Sequence, residues 1–416
     1  MSRIRIKHFG PIREGNQVED GWLDIKKVTV FIGNQGSGKS TVAKLISTFT
    51  WMEKALVRGD YDSKWFERKN KLKNHFLSYH RLESYFQREA ITAAVIEYDG
   101  EAYAIKYEKG GLSISEKPHA AYALPQIMYV PAERNFISYV RTPRELKLSS
   151  DSLKEFLTEF DNAKNELKES VKLPLNEAAA VEYDKLNDVV NVKGAHYKVK
   201  LPDASSGFQS LVPLYLVTRY LAASVQAQQQ ADAREPMSSE EQSRFRKGVA
   251  DIWRNDNLSD EQKQLALSAL SARFNKTAFI NIVEEPEQNL FPLSQWAMLR
   301  SLLEANNLSA GNKLVITTHS PFIINYLSIA IQAHSLHEKI VQAKRHLLLP
   351  KLNDILPTEA MVADDDVVVY QLNESDGSIK RLATYEGIPT DQNYLNDTLR
   401  KGNHLFDALL ALEEEL

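Results

Sequence analysis

The chain has no cysteine in its 416 residues. That excludes a disulfide scaffold, a cysteine nucleophile and thiolate metal sites. It suits a reducing compartment, so a cytoplasmic location is expected. Long apolar runs are also missing. No stretch approaches the roughly 18 apolar residues of a membrane span, and no membrane partner is expected. The basic opening Met1–Lys7 runs straight into Phe9-Gly10-Pro11, without an apolar core of signal-peptide length. Nor is there an excess of one charge: 51 Lys and Arg stand against 55 Asp and Glu, for a net charge of −4. A nucleic-acid contact would therefore need a local basic patch. What is there, 43% hydrophobic and 25% charged residues, is ordinary globular composition and excludes a mainly disordered or collagen-like chain. At about 150 residues per domain, the length fits two or three units, or one large domain with insertions.

Val28–Ile32 reads as a short buried strand. It leads into Gly33-Asn34-Gln35-Gly36-Ser37-Gly38-Lys39-Ser40-Thr41, which fits G-x-x-x-x-G-K-[ST]; Val42, Leu45 and Ile46 then share one helical face. Glycines let the backbone turn its N–H groups toward an anion, and the helix N-terminus adds partial positive charge. In such a loop Gly33, Asn34, Gly36, Ser37, Gly38 and Thr41 surround the nucleotide. Lys39 reaches its β- and γ-phosphates, and the Ser40 hydroxyl ligates Mg²⁺.

Ala278–Val283 reads as a second buried strand and ends in Glu284-Glu285-Pro286-Glu287. Two adjacent carboxylates at such a strand end are costly without a cation. We assign Glu284 to the metal shell and Glu285 to the water it polarises. Alone, the pair reads equally well as a solvated acidic turn. A third β-branched strand, Lys313–Thr318, ends in His319-Ser320-Pro321. An imidazole there can sense a γ-phosphate and hold the attacking water. In an open α/β sheet, ligands bind beyond the carboxyl ends of the strands, where all three motifs end.

Together these motifs, with the opening Ile4–Ile12, resemble an ABC-type ATPase of the SMC/RecF branch. Within it, the chain is most similar to the stand-alone ATPases of bacterial anti-phage defence (the PtuA, AriA and OLD groups). The resemblance implies an α/β fold: an ABC-type P-loop ATPase head with helical insertions. It implies ATP and Mg²⁺ as cofactors and a head-to-tail homodimer or higher homo-oligomer. It also implies a loop reaching the other subunit's nucleotide, for which Ser206-Gly207 in Ala204–Ser210 fits, with Phe208 replacing a second glycine. A separately encoded nuclease effector, of H-N-H or TOPRIM type, is the implied partner. The branch usually has a glutamine after the strand before the insert; here Pro131-Ala132-Glu133-Arg134-Asn135 stands there, and Glu133 or Asn135 is the candidate to approach the metal or water.

The expected organisation is a head over 1–330 and a part over 331–416 whose helices and hairpin complete it. Three inserts are expected: 51–90, basic and aromatic; and 136–203 and 224–275, both helical. Lys and Arg between 58 and 88 interleave with Trp65, Phe66, Phe76 and Tyr85, which leaves direct nucleic-acid contact open and supports the alternative of a DNA-binding SMC/RecF-like repair ATPase. Acidic residues dilute that charge, so an amphipathic insert with a solvated face is the plainer reading. The 136–203 insert is too short for a long coiled-coil rod and argues for a compact lid.

Overall fold

The structure is a computed structural model and describes residues 2–86, 90–118, 122–140, 150–175, 179–230, 247–255, 263, 270 and 276–414. In chain order the strands are β1 (Ser2–Lys7), β2 (Gly15–Asn16), β3 (Trp22–Ile25), β4 (Val28–Gly33), β5 (Val95–Asp99), β6 (Tyr103–Glu108), β7 (Gly111–Glu116) and β8 (Pro125–Val130). They continue with β9 (Val171–Lys172), β10 (Ala180–Asp184), β11 (Val189–Lys193), β12 (Lys198–Lys200), β13 (Ala278–Glu284), β14 (Lys313–Thr318), β15 (Val367–Leu372) and β16 (Ser378–Arg381). The long helices are α1 (Lys39–Arg58), α2 (Asp151–Asn165), α3 (Ser206–Gln230), α4 (Pro292–Asn307), α5 (Pro321–Gln342) and α6 (Tyr394–Glu414).

A seven-stranded sheet, in the order β2-β16-β15-β4-β14-β13-β8, runs through the middle. From β15 to β8 every neighbour is parallel. Its strands are β-branched and covered on both faces, as parallel sheets require. Side chains alternate between two cores. Phe31, Ile282 and Val315 pack with α1 and the five-stranded antiparallel sheet β3-β1-β5-β6-β7. Val30, Val283 and Ile316 face α2, α3, α4 and α5. Because the strands run one way, the ends of β4, β13, β14 and β8 share one edge of the sheet.

Several expected boundaries shift. Helix α1 continues to Arg58 and stops where Gly59 takes a left-handed conformation at φ 71°, so the basic-aromatic segment begins eight residues later than position 51. The 136–203 segment is not wholly helical. Helix α2 is there, capped by Ser150 and burying Leu153, Phe156, Leu157 and Phe160. After it, however, β9 to β12 form a four-stranded antiparallel sheet. The cause is a period of two in Val181–Tyr183 and Val190–Val192, hinged at a turn where Asp188 sits at φ 50°. Position 330 lies inside α5, and β15 pairs with β4 in the central sheet, so residues after 330 are built into the same body. Strands β15 and β16 pair antiparallel. Of the expected helical segment 224–275, residues 231–246, 256–262, 264–269 and 271–275 lie outside the described residues.

Candidate functional site

The turn after β4 is shaped by close approaches. A Cβ on Gly33 would stand 2.4 Å from the Leu372 carbonyl oxygen of neighbouring β15, so only glycine fits. Gly38 begins α1 at φ 100°, a region that L side chains rarely adopt. Gly36 faces open space. Lys39 is buried, and its Nζ donates to the carbonyls of Gly33 (3.0 Å) and Asn34 (2.8 Å). Burial lowers its pKa from 10.5 to about 8, against the opposing pull of Glu285, Glu287, Glu374 and Glu284. The ammonium thus bridges carbonyls of its own loop, surrounded by carboxylates. Asn34 donates from Nδ2 to Glu374, Ser37 is buried with its hydroxyl unpartnered, and Thr41 is buried behind half-buried Ser40.

At the end of β13 the two carboxylates sit in different surroundings, because the strand stops at Glu284 and the backbone turns at Glu285. Glu284 is buried; its Oε2 accepts from the Ala132 N–H at 3.1 Å, while Oε1 has no partner. Glu285 leaves the strand at φ 45°, and its N–H donates to the Thr317 carbonyl at 2.8 Å. Its carboxylate is one-third exposed, with Oε1 3.4 Å from Nε2 of His319. The His319 contact, more than any other influence, holds the Glu285 carboxyl below the usual carboxylate range; Lys39 and Arg134 add to this. The structure therefore places Glu285 and His319 side by side at the strand edge, facing Lys39's field.

Two residues that organise this edge were not singled out from the sequence. Glu287 is half-buried and accepts the His319 backbone N–H at 2.7 Å, fixing the start of the His319 turn; burial raises its pKa. Arg134 is fully buried and holds four main-chain oxygens. Its guanidinium donates to the carbonyls of Glu284 (2.6 Å), Glu285 (2.6 Å), Ser210 (3.2 Å) and Pro131 (3.4 Å). Burial lowers its pKa to about 10, while the three nearby glutamates oppose that. So Arg134, rather than Glu133 or Asn135, enters the site from this turn, and Glu133 is exposed.

Ser206 opens α3 and is exposed, with Gly207 beside it. The helix runs on unbroken to Gln230. Pro213 lies inside it and has no N–H for the Gln209 carbonyl. That carbonyl accepts the Ser138 hydroxyl instead, at 2.8 Å. A Cβ on Gly207 would meet the Asn289 carbonyl at 3.0 Å, and Asn289 Nδ2 donates to the Ser210 hydroxyl at 3.0 Å. The start of α3 is thus tied to the Glu284–Leu290 turn by Arg134, Asn289 and close packing.

The donor set can be tested against Mg²⁺. A buried carboxylate oxygen without a partner, at the end of a strand next to the phosphate loop, fits a hard cation. No group of three or more acidic or imidazole ligands occurs among the described residues.

The strand–phosphate loop–helix unit, set in a parallel sheet with an antiparallel sheet beside it, makes this an α/β protein. Similar solved structures include the SMC head domain from Thermotoga maritima, at 12% identity and a TM-score of 0.38, over 92% of this chain and 98% of that one. A bacterial ABC transporter cassette solved as a dimer gives 11% and 0.25, over 92% and 100%. A nucleotide-free ATP-binding cassette from an ABC transporter gives 14% and 0.27, over 93% of each. No family model matches the chain. No curated protein matches it either. No helix among the described residues is long and apolar enough to cross a membrane.

Proposed function

We propose that the protein binds and hydrolyses ATP, and does so as the regulatory subunit of an anti-phage defence complex that controls a separately encoded nuclease. The observation that carries the ATPase reading is the Glu285–His319 pair, 3.4 Å apart on the sheet edge where Lys39's loop opens. In this reading the loop from Gly33 to Thr41 wraps the phosphates, and Lys39 exchanges its two carbonyl partners for phosphate oxygens. Ser40 and Glu284 would hold Mg²⁺, which supplies charge neutralisation at those oxygens. Glu285, kept ionised, takes a proton from the attacking water, and His319 steadies that water and the γ-phosphate. Ser206, exposed at the start of α3, and half-buried Gly207 beside it complete the site of a second copy in a head-to-tail homodimer. The products are ADP and phosphate.

Glu285→Gln should keep ATP binding, measured by equilibrium dialysis, while turnover falls about 100-fold or more. Turnover at the parent rate would remove Glu285 from the role of base. The defence role rests on the motif resemblance, and no residue in the chain is assigned cutting chemistry. Plating phage on cells carrying the parent or the Lys39→Ala gene, each with its neighbouring genes, tests it: protection should vanish with Lys39→Ala.

One observation favours a second reading, a DNA-binding repair ATPase. Arg68, Lys69, Lys73 and Lys109 line a groove with Phe86 and Tyr107 beside the β6–β7 turn. Salt-sensitive duplex DNA binding that disappears in a Lys69→Ala, Lys73→Ala variant would favour this reading over the first.

A further inference from the structure

A cavity of about 280 Å³ lies between α1, the 61–80 segment, the end of β8 and α2. It plays no part in the ATPase reading. One wall is aromatic: Trp51, Tyr61, Trp65 and Phe76 stand with ring centroids 4.0 to 6.4 Å apart. The inner end holds His80 and Tyr129, their rings 4.6 Å apart. His80 is 2% exposed, and its Nδ1 has no partner. Burial, with Lys44 nearby, lowers its pKa to about 3, so the imidazole is neutral. At the mouth stands the exposed Glu155 carboxylate, which accepts the Tyr79 hydroxyl.

Trp65 is already covered, stacked on Tyr61 at 4.0 Å and with Lys71 Nζ 4.1 Å from its ring centroid, whereas Trp51 meets Tyr61 and Phe76 only at a tilt and is 39% exposed. A flat ring would add contacts by stacking on Trp51. The polar groups then limit its chemistry. A carboxylate only accepts hydrogen bonds, so the facing edge must donate. Guanine presents two adjacent N–H donors on one edge. We propose that this cavity binds a purine with a guanine-type edge, stacked on Trp51 with its N–H donors toward Glu155.

The cavity also touches the candidate catalytic edge. Tyr129 lines it from β8, and β8 pairs directly with β13, the strand that ends in Glu284, so adjacent strands join the two places. Occupancy should therefore alter ATP turnover; this coupling alone rests on the ATPase reading.

The test uses guanosine as the probe and the full-length Lys39→Ala protein, which leaves the phosphate loop out of the result. Guanosine should quench tryptophan fluorescence saturably, with Trp51 and Trp65 as reporters. Adenosine, which offers an acceptor where guanine has a donor, should bind about 10-fold more weakly or worse. Thr48→Phe, filling the cavity, should abolish quenching, and circular dichroism checks its fold. Glu155→Gln, at an exposed position, should weaken guanosine about 10-fold without touching the core. Quenching that never saturates, or is equal in a folded Thr48→Phe protein, would overturn the site. Equal guanosine affinity in Glu155→Gln would overturn the guanine-type edge. Unchanged ATP turnover in the parent protein at saturating guanosine would overturn the coupling.

Discussion

Strands β4, β8 and β13 are buried at every position, whereas β6 is mostly half-exposed and β7 is exposed or half-exposed throughout. The first three belong to the parallel sheet and the other two to the antiparallel sheet beside it. Along a sheet covered on both faces a polar group is costly, and these strands are mostly apolar. Its polar chemistry is therefore pushed to the strand ends, and Lys39, Glu284, Glu285 and His319 gather there. The antiparallel sheet has a wet face, carries its charges as ordinary pairs such as Lys106 with Glu97 and Glu108, and acts as a wall. Stability and function thus come from different parts of the same strands: side chains along the length, and carboxylates and loops at the tips.

The sharpest way to break this contrast is Arg134→Met. It leaves the carbonyls of Glu284, Glu285 and Ser210 without their buried donor. We expect a loss of about 3–5 kcal/mol in urea unfolding. A loss under about 1 kcal/mol would mean that the strand-end turn holds itself. Within the strands, Val283→Ala in fully buried β13 should cost about 2 kcal/mol, and Ser115→Ala in β7 less than about 0.5. Equal costs would erase the distinction between the two sheets.

The pH dependence sharpens the same contrast at the tip of β4. Burial holds Lys39 at about 8, below its ordinary 10.5. Between those values the unfolded chain binds the proton that the folded chain has released, so this group favours folding more as pH rises. The effect on ATP has the opposite sign. Above pH 8 the free protein has lost the ammonium, so affinity should fall by up to about tenfold per pH unit, and binding should take up a proton. Calorimetry in two buffers of different ionisation enthalpy reads that proton. Affinity that is flat from pH 7 to 9 would contradict the buried-lysine account.

The legible parts of this molecule are those whose chemistry is local in the chain. The turn from Gly33 to Thr41 announces itself because glycines, lysine and hydroxyls must be neighbours to surround one anion. Val28–Ile32, Ala278–Val283 and Lys313–Thr318 are readable as strands because a doubly covered strand is apolar throughout. Glu285 and His319 were legible as candidates, and the fold adds their contact. Arg134 was not, because its meaning lies in carbonyls 76 and 150 positions away. Glu287 likewise looked like one more acid in a turn until its bond to the His319 N–H appeared. The sheet β9–β12 was readable in principle from the alternation around Asp188, but the expectation of helix in that stretch overrode it.

The central claim, that one copy's Lys39 loop and another copy's Ser206 form a single ATP site, is tested most directly by mixing two variants. Lys39→Ala and Ser206→Arg should each be inactive alone. In a head-to-tail dimer of one with the other, one site keeps both an intact loop and an intact Ser206. Co-refolded in equal amounts, they should recover roughly a quarter of the parent ATP turnover, from half of the dimers with half of their sites. A mixture as inactive as its two components would contradict the account.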